Sequence, residues 1–143
     1  MVRWQYRKIT DWFPSDAVLA GHDIDKSPIY IGKANHESDQ IPGKIIPSRG
    51  IASVCYYGKE HNKDSFEVLC GSNVAWISAE FGRVPPNAVP GGYTSSGEIL
   101  YIGRTKYLGS ITPGKIHRSH RCLYIPFNGR EEKFDRYEVL IEI

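Results

Sequence analysis

Along the chain, apolar positions come in short runs and not in helical stripes. Ile29-Tyr30-Ile31 and Ile99-Leu100-Tyr101-Ile102 are β-branched and aromatic segments closed by glycine. Phe66–Leu69 and Tyr137–Ile141 alternate apolar with polar, as half-buried strands do. Ala52–Tyr57 and Leu123–Phe127 read as further strands. Pro126 marks the second as an edge or a bulge, because proline cannot donate to a ladder. Trp4 and Trp76 each open a strand, closed by Phe13-Pro14 and by Val84-Pro85-Pro86. Pro42-Gly43 and Pro113-Gly114 have the composition of turns, proline setting φ and glycine accepting a positive one. No segment keeps a 3.6-residue period over about ten residues, so no long helix is predicted.

These elements occur twice. A shift of 71 lays residues 17–72 over 88–143 without a gap, and 17 of the 56 pairs are identical, against about 6% for unrelated sequences of average composition. The identities fall in blocks: Ala17-Val18 on Ala88-Val89, Tyr30-Ile31-Gly32 on Tyr101-Ile102-Gly103, and Pro42-Gly43-Lys44-Ile45 on Pro113-Gly114-Lys115-Ile116. Gly58 and Glu60 fall on Gly129 and Glu131, and Glu67-Val68-Leu69 on Glu138-Val139-Leu140. Upstream, Trp4 meets Trp76 after a one-residue slip. The chain therefore divides into repeats 1–72 and 73–143, each of five or so strands, with only Cys70–Ala75 between their last and first strands. A unit of roughly 70 residues buries little core alone. The predicted fold is all-β: two repeats of short antiparallel strands about a pseudo-twofold axis, sharing one core, with strand exchange as a route to sharing it.

Composition narrows the function. A net charge of +2 gives no electrostatic footprint for nucleic acid or an anionic membrane. No run approaches the roughly 18 apolar residues of a transmembrane helix, and MVRWQYRKIT has no signal-peptide core, so a cytoplasmic protein is expected, with unconventional release as the alternative. Cys55, Cys70 and Cys122 are odd in number and do not coincide between the copies, which makes them buried apolar residues and not a disulfide frame.

The blocks also carry a family pattern. Val84-Pro85, Ala88-Val89, Gly91-Gly92, Tyr101-Ile102-Gly103-Arg104, Pro113-Gly114-Lys115, Gly129-Arg130-Glu131 and Tyr137-Glu138-Val139-Leu140 follow a Trp-led strand, and this succession resembles the DM9 repeat of invertebrate proteins. The first copy departs from it at Leu19-Ala20 and has Lys33 and Lys59 in place of arginine. Two such repeats with no other domain are similar to the oyster mannose-specific DM9 lectins, which act in self/non-self recognition. That resemblance implies calcium-independent binding of mannose or mannose-terminated glycans, a homodimer, no cofactor and no catalysis. It also implies that Asp23, in the loop before Tyr30-Ile31-Gly32, and Lys44, of Pro42-Gly43-Lys44, hold the sugar.

The residue types suit that chemistry, since a carboxylate accepts from two vicinal hydroxyls and an ammonium donates to sugar oxygens. Lys115 repeats Lys44, and an exposed lysine has no packing reason to be kept after duplication. Asp39, Thr94, Lys115 and Arg104 are secondary candidates. Because the register sets Asp23 on Thr94 and Asp39 on Ser110, the second copy is expected to keep the cation, lose both carboxylates and bind sugar weakly. Asp23, Asp25, Glu37 and Asp39 lack the spacing of a calcium loop, and His117, His120 and Cys122 lack a zinc pattern. Ser95-Ser96-Gly97 is turn chemistry, and Glu131-Glu132 does not resemble a glycosidase pair. The alternative to a lectin is a DM9 protein-interaction or membrane-damage effector without sugar specificity.

Overall fold

The computed structural model describes residues 1–143. The first repeat contributes seven strands: β1 (Arg3–Lys8), β2 (Leu19–His22), β3 (Pro28–His36), β4 (Asp39–Ile46), β5 (Ile51–Tyr56), β6 (Lys59–Asn62) and β7 (Ser65–Cys70). The second contributes their counterparts: β8 (Val74–Glu80), β9 (Pro90–Tyr93), β10 (Ile99–Tyr107), β11 (Ser110–His117), β12 (Cys122–Phe127), β13 (Arg130–Phe134) and β14 (Arg136–Glu142). The only helical segments are 3₁₀ turns at Pro47–Arg49 and Arg118–His120. The two tryptophans are equivalent in space, because Trp4 pairs with Leu69 and Trp76 with Leu140.

The two repeats exchange strands. β2 pairs with β3 of its own repeat and, through His22 and Ile111, with β11 of the other. β9 pairs with β10 and, through Tyr93 and Gln40, with β4. With the β3–β4 and β10–β11 hairpins, these pairings close an antiparallel ring in the order β3-β4-β9-β10-β11-β2. Strands β6 and β13 join the repeats again at Lys59 and Arg130. The cluster between the repeats is drawn from both copies: Val18, Ala20, Ile31 and Leu69 meet Val89, Ile102 and Leu140. Cys55, Cys70 and Cys122 are buried free thiols, as their non-coincidence implied.

Two details differ from the sequence reading. Pro42-Gly43 and Pro113-Gly114 are not turns but lie inside β4 and β11. Glycine is required there by close approach and not by a positive φ. A Cβ on Gly43 would lie 2.2 Å from the Ser53 carbonyl oxygen, and one on Gly114 would lie 2.0 Å from that of Tyr124. Lys44 and Lys115, one residue on, pair with Ser53 and Tyr124 and are buried, 7% and 5% exposed. The lysine expected from sequence to be exposed is therefore a buried one. Pro126 sits beyond the part of β12 that pairs with β11, so the missing N–H removes no ladder bond on that side.

Because the ring and its core need both copies, a fragment ending at Gly71 loses Val89, Ile102 and Leu140, each worth about 1.5–3 kcal/mol when buried. It is expected to be unfolded or to dimerise in replacement of the missing half, as read by circular dichroism with sedimentation equilibrium. A folded monomer would contradict the shared core.

Candidate functional site

Strand exchange makes two composite clefts. The first encloses about 790 Å³ between the Asp23–Asp25 loop, Lys44, Arg49 and Glu60 of the first repeat and Leu108 and Phe127–Gly129 of the second. The second encloses about 390 Å³ between Thr94–Ser96, Lys115, His120 and Glu131 of the second repeat and Asp39, Tyr56 and Tyr57 of the first. Each cleft takes its floor from one copy and two hairpin turns from the other.

At each floor lies a buried lysine–glutamate pair. Lys44 Nζ stands 3.3 Å from Glu60 Oε2, which also accepts the Ser53 hydroxyl at 2.6 Å. Glu60 Oε1 accepts the N–H of Gly129 at 2.9 Å, across the repeat boundary. Glu131 repeats this: its Oε1 accepts the Gly58 N–H at 3.0 Å and its Oε2 stands 2.9 Å from Lys115 Nζ. Burial pushes the Glu60 carboxyl up, but Lys44, the Ser53 hydroxyl and the Gly129 amide outweigh burial and hold it below the ordinary value.

The pairs differ in their spare capacity. Lys115 Nζ also donates to the Cys55 carbonyl at 2.9 Å, and its cation is 5.7 Å and 5.5 Å from the Tyr56 and Tyr124 rings. Lys44 has the Glu60 carboxylate and the Phe127 face, 5.6 Å away, and no carbonyl partner. Its ammonium keeps protons free for a ligand in the cleft. Glu131 lacks a hydroxyl like that of Ser53, because the Tyr124 hydroxyl at the matching position is engaged with His120 Nδ1 at 3.0 Å. Glu131 Oε2 has no hydrogen bond and is held by Lys115 alone.

Asp23 stands at the rim of the first cleft. Its Oδ1 accepts the Ile24 N–H at 2.9 Å, and its Oδ2 is ion-paired with Arg49. Arg49 is thus a cleft residue that sequence reasoning missed, because His120 takes its place in the other copy.

A sequence profile of the DM9 repeat matches residues 9–134. The chain belongs to the DM9 repeat family. Natterin-4 of Thalassophryne nattereri is 30% identical over 149 residues, an alignment covering 97% of this chain and 33% of natterin-4. Natterin-3 of the same animal is 37% identical over 79 residues, covering 55% of this chain and 18% of natterin-3. The chain therefore spans a third or less of these relatives. Among solved structures, the nematode sperm cell motility protein MFP2B superposes with a TM-score of 0.72 over 100% of this chain and 47% of its own, at 12% identity, which shows a shared fold.

Against that family background, the six sequence candidates separate. Asp23 and Lys44 come together in the first cleft. Thr94, Lys115 and Asp39 come together in the second. Asp39 crosses from the first DM9 repeat, and its Oδ1 accepts the Ser95 N–H at 2.8 Å. The expectation that the second cleft loses both carboxylates is corrected: exchange returns one from the other repeat. Arg104 reaches neither cleft. It lies 4.2 Å over Trp76, bonds Glu138 at 2.8 Å and donates to the Ala20 carbonyl at 2.8 Å, bracing the repeats; Lys33 over Trp4, also at 4.2 Å, is its counterpart.

Glu60, at the joint of cleft and interface, gives a pH prediction. Its folded pKa is depressed, so its contribution is full above the unfolded value of about 4.5 and is lost as pH falls through the folded value. Glu60→Gln should cost about 2–3 kcal/mol at neutral pH and flatten the acid limb of the stability curve. Urea unfolding at a series of pH values measures both. An unchanged acid limb would show that the carboxylate carries no such linkage.

Proposed function

We propose that this DM9 protein is a non-enzymatic lectin that binds mannose or mannose-terminated glycans in the first cleft, without calcium, for self/non-self recognition. The observation that carries the reading is the buried Lys44 ammonium. It faces a cleft large enough for a sugar ring, with one carboxylate partner and protons to spare. Asp23 is ordered by Arg49 at the rim, so a carboxylate edge and a cationic donor face the same space without loss of side-chain freedom on binding. Phe127 supplies a small apolar patch beside Lys44. Asp23 and Asp25 are ion-paired with Arg49 and Glu60 with Lys44, so the carboxylates of the cleft already have cationic partners from the chain, which supports metal independence.

Lys44 and Asp23 are assigned the sugar hydroxyls, with Arg49 as the residue that orients Asp23. The second cleft is assigned a weaker mannose affinity for a reason other than missing carboxylates. Its lysine is committed to Glu131 and the Cys55 carbonyl, and its volume is about half. A homodimer is proposed as the working unit, formed along β1 or β8, whose outer edges are unpaired. A cytoplasmic site of action, or release from it, belongs to the same proposal. A second reading, a protein-interaction module, is favoured by one finding: the fold recurs inside longer chains, natterin-4 and MFP2B, of which it forms less than half.

Calorimetric titration with mannose in the presence of EDTA is expected to show one site per protomer. Asp23→Asn should weaken it about tenfold or more, a charge-assisted hydrogen bond being worth about 1.5–3 kcal/mol. Asp39→Asn, in the second cleft, should leave it unchanged. Binding lost in EDTA and restored by calcium, or normal affinity in folded Asp23→Asn, would overturn the assignment.

A further inference from the structure

Three arginines surround a groove of about 480 Å³ on the second repeat. Arg83, Arg118 and Arg121 line it with Phe81, Tyr101 and Ser119. The arginine ion pairs of the chain engage Arg3, Arg49, Arg104 and Arg136, and none reaches these three. They are gathered by a tight backbone contact. Gly82 has φ +82°, and a Cβ there would lie 2.8 Å from both the Arg118 carbonyl oxygen and Arg121 Cα. The β8–β9 connection therefore presses against the 3₁₀ turn that carries Arg118.

The first repeat has no such cluster, since Trp12, Pro47 and Gly50 occupy the corresponding positions. Arg121 and Gly50 share φ 62° and ψ 36°, a left-handed conformation that glycine adopts freely and arginine only at a cost. Arg121, 5.8 Å over the Phe81 ring, is thus held on the rim of the same groove as Arg83 and Arg118, all three exposed to solvent and without a carboxylate partner, an arrangement suited to an oxyanion. The fork of a guanidinium matches two oxygens of a sulfate or phosphate group. Glu98 is the one carboxylate on the rim, and it is already engaged: it accepts the Ser119 N–H at 2.9 Å and the Ser119 hydroxyl at 2.7 Å, and faces His117 at 3.4 Å.

Glu98 and Ser119 also line the second composite cleft, so groove and cleft adjoin across the Glu98–Ser119 hydrogen bonds. The cleft adds the hydroxyls of Thr94, Ser95 and Ser96 and the rings of Tyr57 and Tyr124. A ligand spanning both carries anionic groups at one end and a run of hydroxyls with an apolar face at the other. We propose that the arginine groove binds the sulfate or phosphate ester groups of an acidic glycan whose chain continues into the second cleft. This is independent of the principal mannose site at Asp23 and Lys44, which lies in the first cleft.

The test is titration of the full chain with a heparin-derived hexasaccharide, its desulfated counterpart, and inorganic sulfate and phosphate. The sulfated hexasaccharide is expected to bind, with affinity that falls as salt rises, and the desulfated one to bind much more weakly. The triple variant Arg83→Ser, Arg118→Ser, Arg121→Gly should lose about thirtyfold, or roughly threefold per exposed charged contact. Arg121→Gly restores the residue its backbone prefers, so this single variant keeps the fold and should show its own threefold share. Mannose titration of the triple variant should be unchanged, which separates failure of this proposal from failure of the mannose assignment. Three results would each overturn it: wild-type affinity in the triple variant, inorganic sulfate binding as tightly as the hexasaccharide, or tighter binding of a single-stranded oligonucleotide of equal charge.

Discussion

The structure turns on a reciprocal hydrogen bond between the repeats. Glu60 of the first accepts the Gly129 amide of the second, and Glu131 of the second accepts the Gly58 amide of the first. Each carboxylate is buried, so it must be charge-paired, and the lysine that pairs with it comes from the same repeat. One device of two lysines, two glutamates and two glycines thus does two things. It fastens each repeat to the turn of the other, and it fixes an ammonium at the floor of each cleft. Loss of the carboxylate would release both, which is why cleft and interface cannot be varied independently.

Strand exchange extends the same logic outward. Strands β2 and β9 each have one neighbour in their own repeat and one in the other, so the barrel closes only when both repeats are folded. The exchange also carries the β3–β4 turn, with Asp39, to the loop of the other repeat. Symmetry of the scaffold and asymmetry of the clefts then coexist. Gly58, Glu60, Gly129, Glu131 and the two lysines are kept in both copies, while the loops above them differ: Asp23 against Thr94, Arg49 against His120, Ser53 against Tyr124. Burial adds a further difference, since it and the stacked His120, 3.5 Å away, pull the His117 imidazole below its usual range in the second cleft.

Much of the fold was legible in sequence because duplication doubles every signal. The Tyr-Ile-Gly strands and the final alternating strands lie where the pattern put them, while the Trp-led strands end at Lys8 and Glu80, ahead of the prolines expected to close them. Strands β2, β9, β6 and β13 were missed. Leu19–His22 and Pro90–Tyr93 are short and glycine-bearing, and Lys59–Asn62 and Arg130–Phe134 are mostly charged, so neither pair shows an apolar pattern. Pro42-Gly43 misled for a physical reason: glycine there answers a strand crossing, which local sequence does not encode. At the site, Asp23 and Lys44 line one cleft, but Glu60 and Glu131 were passed over although Gly-x-Glu recurs in both copies. Asp39 could not be placed without knowing that its turn changes partner.

The central claim is that each cleft is assembled from both repeats. Amide chemical-shift mapping of the full chain during titration with mannose tests it most directly. The account predicts perturbations at Asp23 and Lys44 in the first repeat together with Phe127, Asn128 and Gly129 in the second, all moving with one dissociation constant. Perturbations confined to residues 1–72, with the Gly129 amide unmoved at saturation, would contradict it.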